Sequence, residues 1–260
     1  MNEPGVFEPT VRDGVLRLHR PDTRWLSTGW NGGRSRGDAA YNVSVPEGFD
    51  RTDLGAYRDE RLARAGFDSA AELATPPALF TGVSMEHARG ARRGPVVVYA
   101  TVGLSNPAML PMEPATEASG ESRDEATGGQ PRDAETVTAA SPRHRPGTVN
   151  LIVGTTRRLA AGAAANLVAV AGEAKATTLL ATAGVPGTTS DAVVVADDPE
   201  GAPAAFSGSA TPVGAATRVC VRDAIRASLR SRYPDNDLPG RAADAEHGVV
   251  ADERAEVFDP

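Results

Sequence analysis

The spacing of apolar and polar positions divides the chain into short alternating runs and longer periodic ones. Residues 6–20, "VFEPTVRDGVLRLHR", alternate around Asp13-Gly14 and predict a β-hairpin with that pair as its turn. "RWLSTGW" predicts a short strand that runs into a loop, "NGGRSRGD", and "AYNVSV" predicts a further strand. Over residues 53–65, Leu54, Tyr57, Leu62 and Ala65 fall near helical spacing. "LFTGVSMEHA" follows, and then "PVVVYATVGL" at 95–104, whose nearly continuous β-branched run predicts a strand buried on both faces. "GTVNLIVGT" at 147–155 and "DAVVVADD" at 191–198 predict two more buried strands. A helix is expected over about 160–182, ended by Gly184 and Pro186. A second helix, "PVGAATRVCVRDAIRASLRSRY", carries Val221, Ile225, Ser228 and Leu229 along one stripe. Strands alternating with helices predict an α/β or α+β fold: a single layered domain with a mixed β-sheet and flanking helices.

Two segments break this pattern. Residues 111–146 are rich in Pro, Gly, Ser, Thr and acids, with isolated apolar residues only, and read as a disordered acidic insertion in a domain of residues 1–233. Residues 234–260 read as an acidic flexible tail.

Composition narrows the functions open to such a domain. The net charge of −7 gives no basic face for sequence-independent nucleic-acid binding. No apolar stretch approaches the roughly 20 residues of a membrane span, and the N-terminal residues carry no signal-peptide pattern. A cytoplasmic protein without membrane or nucleic-acid partners is expected, a homodimer being the default assembly. Arginine in place of lysine, with the acid excess and high alanine, suits a salt-adapted protein. The lone cysteine, Cys220, excludes an internal disulfide and lies among core-like neighbours.

Several chemistries drop out. The single lysine, Lys175, follows Ala174, so there is no Gly-Lys-Ser/Thr phosphate loop. The histidines at 19, 87, 144 and 247 are too scattered for a zinc site, although Glu86-His87 is a possible ligand pair. No cofactor is evident, and the sequence does not say whether a metal is needed. Ser105 in "TVGLSNP" leaves a buried strand much as a nucleophile elbow does, but Pro107 stands where that motif has glycine. A triad with His19 or His87 competes with the reading that Ser105, Asn106 and Pro107 turn the chain. Asn150 is an amide inside a buried strand and must be hydrogen-bonded, to a neighbouring loop or to a ligand. "GVPGTTSDAVVV" sets Thr188, Ser190 and the backbone amides ahead of Asp191, a loop able to hold an anion or an amide. Within 160–183 only Glu173 and Lys175 are charged, which predicts a helix sandwiched between apolar layers. Two positions apart on a helix they diverge by about 200° and need separate partners.

The motifs "WNGG" at 30–33, "FTGVSM" at 80–85, "TVGLSNP" at 101–107, "GTVNLIV" at 147–153, "GEAKATTL" at 172–179, "GVPGTTSDAVVVA" at 184–196 and "FSGSATPVG" at 206–214 come in an order that resembles the adenosylcobinamide amidohydrolase family. The family pattern reads Ser-Asn-Ala where this chain has Ser105-Asn106-Pro107. It reads Thr-Gly-Thr-x-Thr-Asp where this chain has Pro186-Gly187-Thr188-Thr189-Ser190-Asp191. The resemblance implies hydrolysis of one amide of a corrinoid substrate, adenosylcobinamide, to adenosylcobyric acid and 1-aminopropan-2-ol, in corrinoid salvage. For that reaction Glu173 is a candidate base and Lys175 a candidate oxyanion or amine partner; the alternative assigns Ser105 or Thr188 as nucleophile with Lys175 as base. Asn31, Asn106, Asn150, Thr188, Ser190 and Asp191 become candidate substrate contacts. A non-catalytic corrinoid-binding protein and an unrelated serine-type amidase are the competing classes.

Overall fold

The hairpin forms as the alternation predicts. In the computed structural model, β1 (Glu8–Arg12) pairs antiparallel with β2 (Val15–Ser27). Asp13 and Gly14 take φ of 43° and 71°, as a two-residue primed turn requires. The model describes residues 7–67, 75–113, 147–235, 238, 245, 248–251 and 253–259. Of the predicted insertion, 114–146 with His144 lies outside these residues, as does His247 in the tail.

β2 runs unbroken through "RWLS" to Ser27, with a register shift between His19 and Thr23. β3 (Gly33–Ser44) absorbs most of the expected loop "NGGRSRGD". That stretch has no apolar alternation because it lies largely exposed beyond the core, held by its ladder to β2. α1 (Leu54–Arg64), β4 (Ala78–Thr81) and one 3-10 turn at Met85–His87 follow. β5 (Arg89–Arg93) was not foreseen, since "RGARR" has no apolar signal; it is an edge strand turned back by Gly94 onto β6 (Val96–Val102). β7 (Pro107–Met109), β8 (Val149–Leu159), α2 (Ala161–Ala183), β9 (Gly187–Thr188), β10 (Ala192–Ala204), α3 (Pro212–Arg232) and β11 (Val249–Val250) complete the order.

The strands make a mixed sheet in the order β4-β3-β2-β10-β8-β6-β5, with β1 on the free edge of β2; β3·β4 and β8·β10 are its parallel pairs. This is the predicted layered α/β domain. α2 and α3 bury Leu167, Leu179, Val221 and Ile225 against β6, β8 and β10. Each such side chain contributes about 1.5–3 kcal/mol by leaving water. α1 covers the same side of β2–β4 through Tyr57 and Leu62. The opposite face closes on itself around Phe7, Leu18, Trp25, Ile152 and Val194. Asn150 of β8 donates to Asn42 of β3 at 2.9 Å, although β2 and β10 lie between them in the sheet. Three strand spacings of a flat sheet span about 14 Å. The sheet is therefore curled, helices outside and the smaller apolar cluster inside.

α2 is not sandwiched. Ala161, Ala165, Ala169, Glu173 and Leu180 form a solvent-facing stripe, and only the opposite face meets β8, β10 and α3. Alanine hides the distinction, because it suits a helix whether buried or exposed. Gly184 ends α2 in the left-handed region at φ 72°. α3 starts on Thr211, whose hydroxyl accepts from Gly214 N at 3.0 Å, with Pro212 in the first turn. A second sheet, β11-β7-β9, draws part of the expected tail, Val249–Val250, onto β7.

Candidate active site at the polar end of the sheet

Strand direction gathers the candidate residues. β6 ends, and β8 and β10 begin, at the same end of the sheet, which places 103–106, 147–150 and 188–192 side by side. β7 pairs Pro107 with Thr188 of β9, and Thr189 N donates to Asn106 O at 3.1 Å. The Ser105-Asn106 turn and the hydroxyl-rich loop thus form one body.

Asp191 is its hub. Oδ1 accepts from Val149 N at 2.9 Å and from the Thr188 hydroxyl; Oδ2 accepts from Thr188 N at 3.1 Å and from Lys175 Nζ. The loop that was expected to bind an anion binds its own carboxylate. Lys175 and Asp191 are only 14% and 12% exposed as side chains, so each is the partner that makes burying the other tolerable. Gly187 leaves them room. A Cβ there would stand 2.5 Å from both Lys175 Nζ and Asp191 Oδ2.

Glu173 is not brought to this cluster. It faces solvent at 62% exposure and meets Arg218 of α3 at 3.2 Å. The divergence of Glu173 and Lys175 is the one that helical spacing predicts, and each has the separate partner it needs. The carboxylate that meets Lys175 is that of Asp191, not that of Glu173.

Asn106 and Asn150 are both buried, and the side-chain carbonyl oxygen of each has no hydrogen-bond partner among the described residues. Asn106 donates to Thr189 Oγ1 at 2.6 Å, while its Oδ1 lies where a Cβ on Gly147 would stand. Ser105 packs against the same glycine. Asn150 donates to Asn42 Oδ1 at 2.9 Å and to Phe80 O at 3.0 Å, and Asn42 donates to Thr101 Oγ1 at 2.9 Å. Ser190 shares a hydrogen bond of 2.9 Å with Thr148. Asn31 is exposed at φ 49° in the turn that joins β2 to β3, outside these bonds. Asn42, Thr101 and Thr148 belong to the site but give no sequence signal of their own, because only the curl and the strand register bring them there.

The histidines lie elsewhere. His87 Nδ1 is 3.1 Å from Ser231 Oγ at the end of α3, where Arg89 also donates to that hydroxyl, and His19 sits opposite Glu8 on the β1–β2 hairpin. No group of three or more His, Cys, Asp and Glu is placed to hold a metal ion among the described residues. Cys220 is buried, and burial pushes its thiol up to about 11. Among the described residues no helix is long and apolar enough to cross a membrane.

A curled mixed sheet with helices on its outer face, and buried ammonium, carboxylate, hydroxyl and amide groups at one end, defines an α/β protein with a single dense polar cluster at the ends of β6, β8 and β10 among the described residues. The chain belongs to the adenosylcobinamide amidohydrolase family, a family of hydrolases: the family's sequence profile, CbiZ, matches residues 4–237. It is 55% identical over 255 residues to the adenosylcobinamide amidohydrolase of Halobacterium salinarum, covering 98% of this chain and 100% of that one. Its identity to the adenosylcobinamide amidohydrolase of Methanosarcina mazei is 25% over 232 residues, 85% of this chain and 97% of the relative. Among solved structures, the PH0078 protein from Pyrococcus horikoshii OT3 overlaps 88% of this chain and 80% of its own at a TM-score of 0.42 and 13% identity, too loose a likeness to bear on fold or function.

Proposed function

We propose that the protein hydrolyses the amide linking aminopropanol to the corrin of adenosylcobinamide, giving adenosylcobyric acid and 1-aminopropan-2-ol, and that Thr188 is the nucleophile. The observation that carries this reading is the Thr188–Asp191–Lys175 chain. The Thr188 hydroxyl already gives its hydrogen to Asp191 Oδ1, while Lys175 holds the other oxygen.

An amide carbonyl resists attack by an ordinary hydroxyl, so the hydroxyl must lose its proton as the bond forms. Asp191 is placed to take it. The tetrahedral intermediate puts negative charge on the carbonyl oxygen, and the Lys175 ammonium supplies positive charge beside it in a mostly dry site. Collapse breaks the C–N bond, the amine leaves with the proton that Thr188 gave up, and water then cleaves the Thr188 ester. Asn106 Oδ1 and the Ser190 hydroxyl serve as contacts for substrate N–H and C=O groups. The corrinoid is the substrate, and no step here uses a further cofactor.

Thr188→Val and Thr188→Ser test it. Valine keeps the shape but has no hydroxyl, and release of aminopropanol should fall at least about 1,000-fold, the scale on which activated nucleophiles act. Serine should keep a measurable rate, and quenched reactions should show the corrinoid acyl group on residue 188 by mass. Normal turnover by Thr188→Val would remove Thr188 as nucleophile.

A further inference from the structure

The turn "WNGG" and the buried Asn42 take no part in the chemistry above, yet they meet at one place. Asn31 at φ 49°, Gly33 at φ 106° and Gly32, where a Cβ would collide with the backbone of Ser27 and Gly29, lock the turn between β2 and β3. Thr28 fastens it to β10 through Thr28 N to Val193 O and Val193 N to Thr28 Oγ1, both at 2.9 Å. The locked turn presents Trp30, 40% exposed, edge-to-face on Phe80 with ring centroids 6.1 Å apart. Tyr57 stands behind Phe80 at 6.1 Å. A tryptophan held on a rigid turn and backed by fixed aromatic rings offers a flat apolar face to a ligand at little ordering cost.

Phe80 ties this ledge to the buried amides, because its carbonyl accepts from Asn150 Nδ2 at 3.0 Å. That bond and the one to Asn42 Oδ1 fix the amide's orientation. Two acceptors face Nδ2, so the oxygen is the atom left over, and it is buried without a partner. A buried acceptor without a donor costs about 1–3 kcal/mol. Asn42, held by Thr101, sets Asn150 in this attitude.

Resting on the reading of the substrate as a corrinoid, we propose that Trp30 and Phe80 with Asn150 form a recognition subsite for the flat macrocycle and one of its peripheral carboxamides, distinct from the Thr188–Asp191–Lys175 group that cuts the amide. Trp30 covers an apolar face of the ring, and Asn150 Oδ1 accepts from a carboxamide N–H. Asn42 is a positioning residue for Asn150. The subsite gives a reason for the buried amide chain, since replacing hydrogen-bonded partners together by apolar groups of the same shape can be nearly neutral for stability.

The test separates binding from chemistry by using cobyric acid, which carries the macrocycle and its carboxamides without the scissile amide. Equilibrium dialysis of the full-length protein with cobyric acid should show binding that weakens at least tenfold in Trp30→Leu, less than threefold in Trp30→Phe, and less than threefold in Glu173→Gln, whose carboxylate lies at the surface on Arg218. With adenosylcobinamide, Trp30→Leu should raise KM at least tenfold and leave kcat within about threefold. A corrinoid whose peripheral carboxamides are converted to carboxylates should bind the wild type at least tenfold more weakly, a comparison that no folding defect can imitate. Equal binding of cobyric acid by wild type and Trp30→Leu, or equal binding of the carboxamide and carboxylate corrinoids, would overturn the subsite. Loss of turnover alone, with Trp30-dependent binding of cobyric acid intact, would count against the hydrolytic reading and leave the subsite standing.

Discussion

Lys175 is the one lysine among 27 basic side chains, and its surroundings explain why an arginine does not replace it. Its ammonium is a compact point charge that fits between Asp191 and the bare backbone of Gly187; a planar guanidinium needs more room. Lys175→Arg should therefore lose at least about 100-fold in kcat despite keeping the charge, measured with adenosylcobinamide. Gly187→Ala should do comparable damage by pushing the pair apart. Glu173→Gln should stay within about twofold of the wild type, because its carboxylate meets only Arg218 at the surface. Stability should divide differently. Asp191→Asn leaves a buried ammonium uncompensated and should cost about 3–5 kcal/mol in urea unfolding. Lys175→Met should cost less, since Val149 N and Thr188 N still serve Asp191. At this scale the sequence marks Lys175, Asp191, Thr188, Asn106 and Asn150 as candidates by residue type. It does not show who meets whom. The pairing of Lys175 with Asp191 spans 16 positions, and that of Asn42 with Asn150 spans 108.

Elements were legible in proportion to their apolar signal. β6, β8 and β10 announce themselves through β-branched runs, and α2 and α3 through length and caps. β5 and the first half of β3 are polar strands held by neighbours, so nothing local reveals them. α2 misleads for the opposite reason, since alanine on its wet stripe imitates a buried face. α3 offers two checks. Thr211→Ala removes the hydroxyl that accepts from Gly214 N and should cost about 1 kcal/mol. Cys220 is buried on the sheet side of α3, with its thiol pushed from 9.0 up to about 11 by burial first and by Asp223 second. The native protein should resist alkylation at pH 8 and react only on unfolding. The sign for stability follows. Between about pH 9 and 11 the unfolded thiol has released its proton and the folded one has not, so unfolding gains and stability falls across that window. Cys220→Ser should flatten the fall; an unchanged pH slope would show that Cys220 does not cause it.

For the whole molecule, the net charge of −7 sets a dependence on salt. Self-repulsion of an acidic surface weakens the folded state and is screened by ions. Raising KCl from 0.1 to 2 M should raise Tm by at least about 2–4 °C, equivalent to ~1 kcal/mol for a chain of this size. A fall in Tm would mean that specific ion pairs such as Arg20–Asp198 outweigh the general repulsion. The curl of the sheet is the feature of this scale that matters most to function. It brings Asn42 of β3 and Phe80 of β4 against Asn150 of β8, at the end of the sheet that also holds Thr188 and Asp191. The most direct measurement is to incubate the purified protein with adenosylcobinamide and follow both products by mass spectrometry. The wild type should release 1-aminopropan-2-ol and adenosylcobyric acid in equal amounts, and Thr188→Val should release neither while still binding the corrinoid. Recovery of bound but intact adenosylcobinamide from the wild type would contradict the central claim.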